Sequence, residues 1–248
     1  MHDYKKELDT AKKAATKAGH ILLSNKSNLN KILSETKKDI KLQADISAET
    51  VIKDIIRSES ILPILAEESG LSSEKIPNTF WVVDPLDGTA NYSRNIPICC
   101  VSIGLISNLK PVLGVIYDFN NNDLYEGSIH TNALLNNNVI SVSKVKNFHD
   151  GVLLTGLPNN TDYSDIALLK MVKDFQNWRK IRMIGSAAMA SVYVASGKAD
   201  LYTEKKTYLW DIAAGAAIVN AAGGEALIVN HSKNFQVDVF FSNGNIIK

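Results

Sequence analysis

The sequence predicts an α+β first half joined to an α/β second half. Three observations predict it. Between Ile98 and Val142, strand patterns follow one another across short turns, as in an antiparallel sheet. After Asp150 the pattern changes to strand–helix alternation, the signature of an α/β unit. Ahead of both, residues 3–25 place Leu8, Ala11, Ala15, Ala18, Ile21 and Leu22 at helical spacing, with lysines on the opposite face.

Taken in order, residues 26–38 read as a polar loop. Asp45 then precedes Ala48, Val51, Ile52, Ile55 and Ile56, a second amphipathic helix. Asp45 reads equally well as the N-cap of that helix or as a site residue. The apolar Ile64-Leu65-Ala66 runs into Glu67-Glu68-Ser69-Gly70. Alone, a Glu-Glu pair is a solvated turn; near a second acidic strand end it suggests a shared metal site.

That second strand end organises the chain. Phe80-Trp81-Val82-Val83 is a buried strand that stops in Asp84-Pro85-Leu86-Asp87-Gly88-Thr89. Two carboxylates three residues apart repel unless a positive charge lies between them, and no Lys or Arg occurs between Trp81 and Tyr92. A hard cation such as Mg²⁺, which takes carboxylate and carbonyl oxygens, is the natural counter-charge. Gly88 and Thr89 offer backbone N–H groups and a hydroxyl to an anion above it.

Ile98–Ile106 and Val112–Tyr117 are strands, followed by Leu124–Gly127 and Val139–Val142 around the turn at Asn136-Asn137-Asn138. The polar passage 143–150 separates the halves, giving units 1–145 and 146–248. In the second, Val152–Thr155 is a strand, Ile166–Trp178 a helix and Lys180–Ile184 a strand. Gly185-Ser186-Ala187-Ala188 opens a small-residue helix that ends at Ser196-Gly197. Ala199–Thr203 is a strand, Asp211–Ala222 a helix closed by Gly223-Gly224, and Ala226–Val229 a strand. Asp211 reads as the N-cap of its helix or as a metal ligand; both roles can coexist.

The net charge of +1 offers no basic surface for nucleic acid or an anionic membrane. No apolar run approaches the roughly 18 residues of a membrane span, and the N-terminus lacks a signal-peptide hydrophobic segment. Adjacent Cys99 and Cys100 read as reduced thiols in a strand, consistent with a cytoplasmic protein.

Asp84-Pro85-Leu86-Asp87-Gly88-Thr89 resembles the first signature of the inositol monophosphatase family of Mg²⁺-dependent, lithium-sensitive phosphatases. Trp210-Asp211-Ile212-Ala213-Ala214-Gly215 with Gly223-Gly224 resembles the second. Glu67-Glu68-Ser69, Asp45 and Gly185-Ser186-Ala187-Ala188 follow the family's order, so the resemblance spans roughly residues 5–230. It implies a five-layered α-β-α-β-α sandwich of the inositol monophosphatase/fructose-1,6-bisphosphatase type, commonly homodimeric. It also implies that Glu67, Asp84 and the Leu86 carbonyl hold one Mg²⁺ and that Asp84, Asp87 and Asp211 hold another, with a third, looser ion near Glu67 as an option. Thr89 can orient the attacking water, with Asp45 accepting its proton or fixing the threonine hydroxyl, and Glu67 belongs to the expected catalytic set. Asp87, Gly88, Thr89, Ser186, Ala187 and Glu204 face the substrate, and Leu157-Pro158-Asn159-Asn160 is a further substrate loop. Glu204, seven residues before Asp211, and Ala90-Asn91-Tyr92 point to a polyol phosphate, myo-inositol-1-phosphate first. Fructose-1,6-bisphosphate, 3′-phosphoadenosine 5′-phosphate and histidinol phosphate are alternatives. A degenerate fold serving as a regulatory binding protein would lack at least one of these acids.

Overall fold

A computed structural model describes residues 4–35, 40–157 and 161–246. The chain begins with α1 (Lys5–Ser24), α2 (Lys26–Leu29), β1 (Ile32–Glu35), β2 (Ile40–Leu42) and α3 (Gln43–Glu59). There follow β3 (Ile64–Ala66), β4 (Gly70–Leu71), β5 (Thr79–Asp87), the short α4 (Thr89–Ser93), β6 (Cys100–Ser107), β7 (Lys110–Asp118), β8 (Asp123–Ser128), β9 (Thr131–Leu135) and β10 (Asn138–Val139). The remainder comprises β11 (Val152–Thr155), α5 (Asp165–Phe175), β12 (Lys180–Arg182), α6 (Ala187–Ala195), β13 (Leu201–Tyr208), α7 (Leu209–Ala221), β14 (Glu225–Val229) and β15 (Gln236–Ser242).

Two sheets carry the fold. The first has eight strands in the order β10-β9-β8-β7-β6-β5-β3-β4; the second has five, β12-β11-β13-β15-β14. One face of the first sheet is covered by α1 and α3, whose Ala11, Ala15, Ala18, Ala48 and Ile52 share a core with Trp81, Val83, Ile103 and Val115. The alanines keep this helix layer close to the strands. On the other face lie α6 and α7, which also meet Tyr202, Val239 and Phe241 of the second sheet. Beyond that sheet runs α5. The layers are thus helix, sheet, helix, sheet, helix, the α-β-α-β-α sandwich of the inositol monophosphatase/fructose-1,6-bisphosphatase type.

The central helix layer is set by glycine. Gly104 and Gly114 face each other across β6 and β7. A Cβ at Gly104 would stand 3.0 Å from the Ala214 amide, and one at Gly114 would overlap the Ala214 carbonyl. Missing side chains on the sheet let α7 lie directly on it. The start of α7, with Asp211, is thereby fixed over the ends of β5 and β6.

Several local expectations are corrected. Residues 26–35 are not a loop: they form α2 and β1, while 36–38 lie outside the described residues. The strand predicted at Ala199–Thr203 runs further, because β13 continues to Tyr208 and pairs with β15 around an irregularity between Glu204 and Thr207. The predicted strand at Val139–Val142 shrinks to the two residues of β10, which pair with the unpredicted β9 across the Asn-rich turn. The first sheet is not wholly antiparallel, since β3 runs parallel to β5. Among the described residues, no helix is long and apolar enough to cross a membrane.

Candidate active site

The parallel pairing of β3 and β5 brings the two acidic strand ends together. The Glu67 amide donates to the Val83 carbonyl at 3.1 Å, so Glu67 leaves β3 beside Asp84. The Glu67 and Asp84 carboxyls are near neighbours, each within reach of the other's charge. Asp84 also accepts the Leu86 amide at 3.0 Å. The neighbouring Glu68 points elsewhere, pairing with Lys41, while its amide donates to Glu49 at 2.9 Å. Of the two glutamates, Glu67, the one the resemblance assigns, lies beside Asp84, and Glu68 does not.

Asp87 lies against the start of α6. It accepts the Ser186 hydroxyl, the Ala188 amide at 2.8 Å and the Ala187 amide at 3.3 Å. Ser186 and Ala187 therefore hold Asp87 in place. Gly88 follows with φ 88°, and a Cβ there would come 2.8 Å from the Ile98 carbonyl oxygen. Glycine is required at this bend.

Asp45 and Asp211 are not N-caps, contrary to one of the two readings open for each. Both sit three residues inside the cap and reach back to its amide. Asp45 Oδ2 accepts the Leu42 N–H at 2.6 Å, and Asp211 Oδ2 accepts the Tyr208 N–H at 2.9 Å. One oxygen of each acid is thus anchored at a helix start, where the dipole favours negative charge. The second Asp45 oxygen accepts the Thr89 hydroxyl at 3.1 Å. That hydroxyl also lies 3.0 Å from the Leu86 carbonyl.

The electrostatics are those of acids without a counter-charge. Burial is the first cause at every one of them, and neighbouring carboxylates add to it. Burial drives Asp84 well up, with the charge of Glu67 next. Glu67 opens to water on one side but is enclosed by protein on the others; that enclosure and then Asp211 raise it, with water screening part of the effect. Burial and the charge of Asp87 lift Asp211 to about 7. Asp87 is raised by burial against the opposing hydrogen bonds from Ser186 and the α6 amides. Burial takes Asp45 to about 7 despite its bond from Leu42.

Among the described residues, no Lys or Arg pairs with Glu67, Asp84, Asp87 or Asp211. Nor do any three His, Cys, Asp or Glu side chains already converge as a ligand cage. Asp84, Asp87 and Asp211 are instead held by Ser186, Thr207 and backbone amides. Four neighbouring buried or half-enclosed acids with no Lys or Arg partner among the described residues are a donor set suited to hard divalent cations.

Glu204 ends the regular part of β13. Its carboxylate accepts the Tyr202 hydroxyl at 3.0 Å; burial and the charge of Asp87 raise it to about 7, against that bond. A Cβ at Gly156 would overlap the same carboxylate, so glycine makes its berth. Of the predicted substrate loop, only Leu157 lies within the described residues.

Three contributors, Thr207, Tyr202 and Gly156, escaped the sequence reading, as did the structural role of Asn91. Thr207 donates to Asp211 at 2.7 Å, Tyr202 holds Glu204, and Gly156 makes room for it. Asn91 donates to the Ile98 and Ile184 carbonyls at 2.8 Å each, tying α4 to the approach of α6. Only Thr207, four residues before Asp211 at the end of β13, leaves a sequence signal.

Fold and donor set together define the class: a layered α/β phosphatase with its acids gathered where the two sheets meet. The sequence model of the Inositol monophosphatase family matches residues 3–247, and the chain belongs to that family. Membership makes it a phosphoric monoester hydrolase. The inositol-1-monophosphatase of Synechocystis sp. is 35% identical over 228 residues, covering 88% of this chain and 77% of the relative. A Xylella fastidiosa protein named Nus factor SuhB is 39% identical over 216 residues, 86% of this chain and 78% of that one. The solved inositol monophosphatase of Anabaena (Nostoc) sp. superposes with a TM-score of 0.85 at 30% identity, covering 98% of this chain and 93% of that one.

Proposed function

We propose that this phosphatase hydrolyses a small polyol phosphate, myo-inositol-1-phosphate first, in a Mg²⁺-dependent reaction. The observation that carries the reading is the meeting of Glu67, Asp84, Asp87 and Asp211 with no Lys or Arg paired to them among the described residues. The Glu67, Asp84, Asp87 and Asp211 carboxylates and the Leu86 carbonyl would hold two Mg²⁺, with a third, looser ion near Glu67. The metal would neutralise the phosphate and acidify the attacking water.

The chain's own groups account for the rest. When the Thr89 hydroxyl donates to Asp45, its lone pairs are free to accept a proton of that water. Asp45, raised to about 7, is a base matched to neutral pH and takes the proton that Thr89 passes on. The water oxygen bonds to phosphorus as the ester oxygen departs in line, and the products are the alcohol and inorganic phosphate. Gly88 and Thr89 present the start of α4 to the phosphate. Asp87, steadied by Ser186 and Ala187, and Glu204 face the alcohol hydroxyls.

Family likeness also supports lithium sensitivity, a homodimer and a cytoplasmic location; the net charge of +1 argues against nucleic acid or an anionic membrane as partner. A second reading, a regulatory binding role for the same fold, draws on the name Nus factor SuhB borne by the Xylella relative. It predicts no phosphate release. The test is a phosphate-release panel with Mg²⁺, with and without Li⁺. The panel compares inositol-1-phosphate, fructose-1,6-bisphosphate, 3′-phosphoadenosine 5′-phosphate and histidinol phosphate. Inositol-1-phosphate turned over fastest, and inhibited by Li⁺, is the expected result; preference for another ester reassigns the substrate.

A further inference from the structure

Strand β13 carries one residue more than its partner at a single point. Glu204 pairs with Val239 and Thr207 with Val237, three steps along β13 against two along β15. The extra residue makes a β-bulge, in which Lys206 takes a left-handed φ of 58°. Strict alternation from Tyr202 and Glu204 would put Lys206 on the face that meets α7. The bulge puts Thr207 there instead: Lys206 is exposed, whereas Thr207 is only 2% exposed. Bulges re-aim side chains, and this one aims a hydroxyl at Asp211.

The Thr207 hydroxyl donates to Asp211 Oδ2 at 2.7 Å, and the Tyr208 amide donates to the same oxygen at 2.9 Å. Together these donors fill the lone pairs of that carboxylate oxygen. Among the described residues no donor reaches Oδ1, so Asp211 has one oxygen to offer. A carboxylate of this kind suits Mg²⁺, which takes few protein oxygens and keeps several waters. It suits Ca²⁺ less, because Ca²⁺ gathers a larger shell and readily takes both oxygens of one carboxylate.

We infer that Thr207 is a positioning residue that sets cation selectivity: by occupying Asp211 Oδ2 it holds Asp211 to single-oxygen ligation and disfavours Ca²⁺ against Mg²⁺. The inference rests on the reading of Asp211 as a metal ligand, and adds which cation the site rejects.

The test is calorimetric titration of the chelator-stripped chain with Mg²⁺ and, separately, with Ca²⁺. It compares wild type with Thr207→Val, which keeps the shape and removes the hydroxyl, and with Thr207→Ser, which keeps the hydroxyl. Thr207→Val frees a lone pair of Oδ2 and should raise the ratio of Ca²⁺ to Mg²⁺ affinity about tenfold, the worth of one hydrogen bond to a charged group. Thr207→Ser should keep the wild-type ratio. The same ratio is read in Thr207→Ala, whose smaller side chain cannot clash, so the outcome does not hang on one variant folding. A merely structural role would weaken both cations alike; that result, or an unchanged ratio in the valine and alanine variants, overturns the inference. Asp211→Asn should lose Mg²⁺ affinity. If it binds Mg²⁺ as wild type does, or if wild type binds neither cation, the metal reading itself has failed and the inference falls with it.

Discussion

The Thr89 hydroxyl lies 3.1 Å from Asp45 Oδ1 and 3.0 Å from the Leu86 carbonyl oxygen. One proton serves two acceptors, so Thr89 donates to either Asp45 or Leu86 at a given moment. Donation to Asp45 completes the relay from water to base. Thr89→Ala should lower kcat by about 10²- to 10³-fold, the span of a lost proton-transfer partner, and leave Mg²⁺ affinity nearly unchanged. Thr89→Ser should restore most of the rate. Steady-state kinetics across a Mg²⁺ titration checks this; lost metal affinity at an unchanged rate would contradict the water-orienting role.

Stability should depend on pH in a direction set by the buried acids. Asp45, Asp211 and Glu204 titrate near 7 in the folded chain, against about 4 when unfolded. Folding favours their protonated forms. That stabilisation is fully present below about pH 4 and is lost as pH rises through 7. The metal-free Tm should therefore fall between pH 5 and 8, and Mg²⁺ should raise it most at pH 8. Calorimetric scans with chelator and with Mg²⁺ measure both; an equal Mg²⁺ effect at pH 5 and pH 8 would refute the linkage.

Glu204→Gln should alter preference among phosphorylated alcohols. Gly156→Ala should do the same without touching an acid, because the added methyl occupies the Glu204 berth. The matching measurement is the ratio of kcat/KM values over the ester panel. An unchanged profile in both variants takes Glu204 out of the substrate pocket.

Gly114→Ala tests the seating of α7. The new methyl would overlap the Ala214 backbone, which cannot move without displacing the helix. Overpacking of this kind costs about 1–3 kcal/mol or more. Urea melts should show that loss, and the displaced Asp211 should weaken Mg²⁺ binding as well. Wild-type stability would mean that α7 is not pressed against β7.

Much of this was legible because a single backbone segment carried it. Asp84, Asp87, Gly88 and Thr89 belong to one strand end, and their chemistry could be read from their spacing. Asp211 and Asp45 were recognised as helix-start acids, but their place three residues inside the cap was not. Cap and third position differ only in where the helix begins, and Leu42 and Tyr208 give no capping signal. Spacing alone could not choose between Glu67 and Glu68; the resemblance named Glu67, and Glu68 is held by Lys41, a partner distant in sequence. β9 was missed because its first residues, Thr131 and Asn132, are exposed and polar. β15 was overlooked although Val237, Val239 and Phe241 alternate inward. Gly156 and Tyr202 could not be read at all, since their roles depend on a contact with Glu204 made only in the fold.

The most direct measurement is phosphate release from inositol-1-phosphate by wild type and Asp84→Asn, over a range of Mg²⁺ concentrations, with circular dichroism confirming that both are folded. The account predicts Mg²⁺-dependent turnover in wild type and none in the folded variant. Turnover by wild type without Mg²⁺, or near-wild-type turnover by Asp84→Asn, would contradict it.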